Sequence, residues 1–260
     1  MKKRILSLLL ALVMLLGLLP TVALAANETQ ETPSVTVYFS LTDDDQYVVG
    51  DNKDGGSRRV MAYQKFTVPY FDLKLYGLEN YYFSSESYGE EGPSGTSDPY
   101  GKITVLHLLI YALERDYCGL PEERCGMGYL KDQGLIGTDV FNVAGNSGSF
   151  FMQNIWGHDL NLLYYLNYEY PMASKGWGST ADQQLLHDGD VVSMSLYSDY
   201  GFFSDETAGF HHLGTEANKT QGAIEANADD TLDLVLYRSS VSMGEGTTQT
   251  PVDGLDVYYC

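Results

Sequence analysis

The chain has 260 residues with 15 basic and 35 acidic side chains, a formal net charge of −20, and 21 tyrosines. A surface that acidic argues against nucleic acid or an anionic membrane as partner and fits solubility at a cell exterior; the length suits one or two domains. Clustered tyrosine suits either interleaved sheet packing or a recognition surface, because the ring is apolar and the hydroxyl is wet.

Lys2, Lys3 and Arg4 precede an apolar run from Ile5 to Leu19, and Ala23-Leu24-Ala25 is a small-residue cleavage site. Residues 1–25 therefore read as a signal peptide, since the run is short for a membrane span. Its removal takes three basic residues and leaves a formal charge of −23. No second apolar run long enough to span a membrane follows, so the expectation is a secreted or cell-surface bacterial protein.

Val35, Val37, Phe39 and Leu41 alternate with Thr36, Tyr38 and Ser40, the period of a strand. Asp43-Asp44-Asp45 lacks the alternating ligands and closing acid of a calcium loop and reads as a solvated turn. Tyr47 to Val49 and Arg59 to Pro69 read as further strands around the turn-rich Asp51 to Gly56. Pro69-Tyr70-Phe71-Asp72 and Tyr76-Gly77-Leu78-Glu79 read as compact aromatic turns, and Ser84 to Tyr100 as loop.

Thr104 to Tyr117 is the strongest helix, with Thr104 as N-cap, a stripe of Leu106, Ile110, Leu113 and Tyr117, and Gly119 and Pro121 to end it. His107 reads as a packed histidine, because no partner accompanies it at helical spacing. Cys118 and Cys125 follow in a glycine-rich loop; in an exported chain a disulfide closing that loop is the first reading, and two thiols are the alternative. A zinc site there lacks two further ligands. Phe150 to Met152 reads as a short strand.

Leu162 to Val192 organises the rest. Tyr164, Leu166 and Tyr168 alternate with Tyr165 and Asn167 as on a half-buried strand, which Pro171 ends. Gly176 and Gly178 bracket Trp177, Thr180 and Gln183 have capping-box spacing for a short helical turn, and Asp188-Gly189-Asp190 turns the chain into a strand from Val191 to Tyr197. Beyond Lys219 the texture changes: Thr231 to Tyr237 and Leu255 to Tyr259 read as strands, and the chain stops in Tyr258-Tyr259-Cys260, which points to a longer protein.

The sequence has no nucleophile elbow, zincin helix, P-loop or dinucleotide fingerprint. His211-His212 with Asp205 and Glu206 is the most metal-like group, but adjacent strand residues point to opposite faces. No metal site, no catalytic residue and no resident cofactor is expected.

Tyr164-Tyr165-Leu166-Asn167, Gly176-Trp177-Gly178 and Leu186 to Val192, with Thr104-Val105-Leu106 opening the helix, resemble a bacterial family of extracellular domains of unknown function related to the C-terminal domain of transcobalamin and intrinsic factor. The resemblance covers roughly residues 100 to 200. It implies an α+β fold, a β-grasp-like sheet with one main helix packed across it; here extra N-terminal strands and a partial all-β C-terminal segment are added. The domains expected are a signal peptide over 1–25, the α+β domain over 34–215 and an incomplete immunoglobulin-like module over 220–260. By match to the family pattern the ligand-binding residues are Tyr165, Asn167 and Trp177, two stacking faces and an amide for paired hydrogen bonds. A cobalamin-type ligand is implied by the relatives, although the helical barrel they also use is missing, and carbohydrate stands beside it. The expected function is a non-catalytic ligand-binding or adhesion module for an extracellular small molecule or glycan. The alternatives are a structural spacer and a cell-wall hydrolase.

Overall fold

A computed structural model describes residues 32–43, 46–50, 60–83, 101–147, 149–157, 162–171, 179–196, 209–220, 222–224, 226–242 and 246–254. The signal segment, Trp177, Cys260 and the strand expected over Leu255 to Tyr259 lie outside the described residues. In chain order the strands are β1 (Ser34–Asp43), β2 (Gln46–Tyr47) and β3 (Gln64–Pro69), then helices α1 (Val105–Ala112) and α2 (Tyr129–Asp132). There follow β4 (Phe141–Ala144), β5 (Phe151–Ile155), β6 (Leu162–Leu166), β7 (Val191–Leu196), β8 (Gly209–Gly214), β9 (Val235–Ser242) and β10 (Gly246–Pro251). The fold is α+β and mostly β.

β1 organises the main sheet. One edge pairs antiparallel with β2 and β3, and the other pairs in parallel with β7, which pairs antiparallel with β6. The alternation read from the sequence sends Val37, Phe39 and Leu41 into the core, where each is at most 1% exposed. Burying side chains of that size stabilises the fold by about 1.5–3 kcal/mol each. β7 is buried along its whole length because both of its faces are covered: Val192, Met194 and Leu196 join the core, while Ser193 and Ser195 line the other face with Tyr165.

The long helix runs from Val105 to Tyr117, but only its first part is a regular α-helix. Every residue of α1 is buried, as a sequence apolar on nearly all sides requires, so it carries no solvent face. Leu113–Tyr117 then widens into a π-helical turn that the sequence did not disclose. In this turn Glu114, Arg115 and Asp116 all point inward. Glu114 accepts from Tyr76 Oη at 2.9 Å, Gly126 N at 2.7 Å and Leu130 N at 3.2 Å. Arg115 lies 3.4 Å above the Phe66 ring and pairs with Asp116 at 2.8 Å. The carboxylate thus ties the loop after the helix to the turn before it.

Several boundaries move for physical reasons. The alternation over 164–168 breaks at Asn167, because Asn167 and Tyr168 adopt left-handed backbone at φ 50° and 66°. The ladder of β3 starts at Gln64 rather than Arg59, since Tyr63 at φ 48° bends the chain; Val60 makes only an isolated bridge to Val49. β9 begins at Val235, and Leu232 and Leu234 before it are exposed. The short strand expected over Phe150 to Met152 is the start of β5, whereas β4, α2 and β8 carry no such sequence signal.

The thiols of Cys118 and Cys125 are not joined, which corrects the disulfide expected there. Cys125 is buried and its Sγ points at the Pro121 carbonyl, 3.5 Å away. Burial pushes its thiol up to about 12.

β8, β9 and β10 form a separate antiparallel sheet. Its first strand comes from before residue 215 and the other two from after 220. It docks on the end of β6: His212 stacks on Tyr168 at 4.0 Å and 7°, Gln249 Nε2 donates to Tyr168 O at 2.9 Å, and Tyr170 N donates to Thr247 Oγ1 at 2.7 Å.

Candidate functional site

Of the three residues matched to the family pattern, the two that are described, Tyr165 and Asn167, spend their side chains inside the protein. Tyr165 is 0% exposed, held edge-on to Tyr170 at 6.3 Å. Burial pushes its hydroxyl upward. Asn167 does use its amide for two hydrogen bonds, but both are internal. Its Nδ2 donates to Asp190 Oδ1 at 2.7 Å and its Oδ1 accepts from Val191 N at 2.9 Å. The Asp188-Gly189-Asp190 turn is a knot: Asp188 accepts from Thr36 N at 2.7 Å, Asp190 accepts from His187 N at 2.7 Å, and Gly189 O receives Ala223 N at 3.2 Å. Trp177 lies outside the described residues.

The capping box read at Thr180 and Gln183 is also different. A short turn does form, with Gln183 N and Gln184 N donating to Thr180 O at 2.9 and 3.1 Å. The Gln183 side chain, however, leaves the turn. Its Nε2 donates to Tyr82 O at 2.8 Å and to Ser147 Oγ at 2.9 Å, while Ser147 Oγ donates to the same Tyr82 carbonyl at 2.7 Å. Next to it, Tyr81 Oη donates to Gly145 O at 3.0 Å and its ring meets Phe150 edge-on at 5.2 Å.

These bonds fix one side of a cleft of about 400 Å³ between the aromatic turns after β3 and the start of α1. Tyr70, Phe71, Leu73 and Phe83 form its apolar lining, and Tyr82, 44% exposed, stands at the outside. Lys74, Lys102, Asp72 and Glu79 supply the charged groups around it. Asp72 also caps the short turn Leu73–Tyr76 by accepting from Lys74 N at 2.9 Å.

His107 closes the inner end. Its Nδ1 accepts from Thr104 N at 3.2 Å, which caps α1, and its Nε2 lies 3.2 Å from Phe71 O. An acceptor Nδ1 leaves the proton on Nε2, so the ring is neutral and donates to Phe71. Burial lowers its pKa to about 4, with the hydrogen bond to Phe71 opposing. The packed histidine read from the sequence is thus a helix cap that also holds a wall of the cleft: its ring lies 4.8 Å from Phe71 and 5.8 Å from Tyr70.

The cleft residues were missed because they sit in turns without periodicity. The signal present was the density of aromatics there, Tyr70-Phe71 and Tyr81-Tyr82-Phe83, in stretches with no strand or helix pattern to bury them. Among the described residues no group of His, Cys, Asp and Glu is placed to hold a metal ion, and no helix is long and apolar enough to cross a membrane. No protein-family model, curated protein or solved structure matches the chain.

Proposed function

We propose that the chain is a non-catalytic, exported ligand-binding module of the β-grasp type, with its site in the cleft beside α1 rather than along β6. The β-grasp reading is supported by the sheet order: a parallel β1/β7 pair at the centre, antiparallel β3 and β6 outside it, and α1 between β3 and β6 in the chain. It agrees with the resemblance to the transcobalamin-related extracellular family. The observation that carries the binding reading is an aromatic cleft whose outer tyrosine is exposed on an anchored backbone. Concave, mostly apolar sites with a few polar groups are the usual form of small-molecule sites. The ligand is an extracellular small molecule or glycan, with carbohydrate and corrinoid as the classes in view.

The buried polar groups support a role without chemistry. Cys125 is protonated at neutral pH, Glu114 is occupied by three donors, and both nitrogens of His107 have partners. A wall hydrolase would need a thiolate or a converging pair of acids in a cleft; the two acids here, Asp72 and Glu79, stand beside Lys74 and Lys102, and Asp72 already caps the turn Leu73–Tyr76. The spacer reading draws its support from the inward use of Tyr165 and Asn167.

Nuclear magnetic resonance titration of the mature chain with a panel of soluble fragments, sugars and cyanocobalamin tests the proposal. Binding should shift signals of Tyr70, Lys74, Tyr82 and Lys102 first. Shifts confined to other parts of the chain, or none with any compound, would leave the spacer reading in place.

A further inference from the structure

We infer that the cleft takes an uncharged, N-acetylated pyranose ring, as a single sugar or the end of a neutral oligosaccharide. This deepens the binding function proposed above and rests on the cleft being the site.

The first reason is Tyr82. Its ring is exposed, yet its carbonyl is fixed by Ser147 Oγ at 2.7 Å and Gln183 Nε2 at 2.8 Å, from 65 and 101 residues away. An exposed aromatic on an anchored backbone is a preorganised flat face, so a ligand stacking on it orders little further chain. The C–H face of a pyranose is apolar and flat enough to lie on such a ring, while its hydroxyls remain at the edge.

The second reason is charge. Lys74 and Lys102 are matched by Asp72 and Glu79, so the cleft has no net charge to favour an ion of either sign. The chain as a whole carries −20, a field that opposes anions. A neutral polyol meets no such cost. Each of its hydroxyls is both donor and acceptor, which an ammonium and a carboxylate on the same rim can satisfy together.

The third reason is the inner end. Phe71, Leu73 and Phe83 are buried or nearly so, and His107 offers no available nitrogen there. That surface suits a small apolar substituent, and the methyl of an acetamido group supplies one. The volume of about 400 Å³ accepts one or two sugar rings. A corrin macrocycle with its nucleotide would extend well beyond it.

The test is calorimetric titration of the mature chain with the N-acetylglucosamine trimer, the cellulose trimer, the cationic glucosamine trimer, benzoate and cyanocobalamin, repeated on Tyr82→Ala and Tyr82→Phe. The N-acetylated trimer should bind tightest. Tyr82→Ala should weaken it by about tenfold and Tyr82→Phe should leave it near the starting affinity. Unchanged melting of both variants shows that the fold is kept. Binding of benzoate, cyanocobalamin or the cationic trimer in preference, still sensitive to Tyr82→Ala, overturns the ligand class and leaves the cleft standing. Binding insensitive to Tyr82→Ala, or no binding by any probe, overturns both.

Discussion

Around Asn167, tyrosine, acid and amide side chains are spent on the protein itself: Tyr165 is fully buried against Tyr170, and Asn167, Asp188 and Asp190 bind backbone groups of three separate strands and turns. Around Tyr82 the same residue types are turned the other way. The backbone is tied down by Ser147 and Gln183, and the ring and the neighbouring charges face solvent. The difference teaches that residue type alone does not mark a binding surface. What matters is whether the hydrogen bonds of a segment are made by its side chains or by its main chain, because only the second arrangement leaves the side chains available.

That contrast can be broken by mutation. The largest effect is expected at Tyr165→Ala, which empties a site enclosed on all sides and should cost about 3–5 kcal/mol in chemical denaturation. Ligand binding at the cleft should survive in the folded fraction. A loss below 1 kcal/mol would show that Tyr165 is not the packing centre described.

The pH dependence links the two regions through α1. His107 is neutral in the fold with a pKa lowered from 6.5 to about 4, so the unfolded chain takes up a proton first as pH falls. Its contribution to stability is complete above pH 6.5 and lost progressively down to pH 4, about 3 kcal/mol in all. Burial pushes Glu114 up, which acts with opposite sign: its unfolded form ionises first as pH rises, so its buried carboxyl costs stability in that direction. Comparing the chain with His107→Gln by urea denaturation between pH 4 and pH 7 isolates the histidine. The variant should lack the loss that the parent shows across this window.

Asn167→Ala should cost about 2–3 kcal/mol, because Val191 N and Asp190 Oδ1 lose their partner and a β-carbon remains at positive φ without compensation. Asn167→Gly should recover about 1 kcal/mol of that by relieving the backbone alone. Equal losses for the two would remove backbone strain from the account. Gly222 should be equally intolerant of change: a β-carbon there meets Asn167 Oδ1 at 2.9 Å and Gly189 O at 3.2 Å, at a φ of 68°.

The smallest effect on stability is expected where the effect on binding is largest. Tyr82→Ala should change the unfolding free energy by about 0.5 kcal/mol or less, since the ring is exposed and the anchoring bonds use its carbonyl. A stability loss as large as that of Asn167→Ala would place Tyr82 with the structural tyrosines and erase the contrast.

How much of this was legible in the sequence follows from where each signal resides. The alternation of Val37, Phe39 and Leu41, the helix opening at Thr104 and the turn at Asp188 to Asp190 are local patterns, and each appears close to where it was read. The residues chosen as a site were not separable in that way. Tyr165 shows the same period whether its outer face meets water or protein, and its burial depends on what packs there: Tyr170 lies edge-on to it, and Tyr170 is itself tied to β10 through Thr247. The spacing of Gln183 from Thr180 allows a local cap. Its actual partner, Tyr82, lies 101 residues earlier, and no spacing rule reaches that far.

The sequence by itself determined the period of the core strands, the apolar helix and the acidic balance of the chain, because these depend on neighbours along the backbone and on composition. Tertiary structure alone decided that Cys118 and Cys125 stay apart, that Asn167 faces inward, and that Tyr82 stands exposed on a fixed main chain. The physical reason is that burial and hydrogen-bond satisfaction are settled by whatever segment arrives from elsewhere in the chain, and a side chain is left for function only where that arriving segment takes the backbone and leaves the ring.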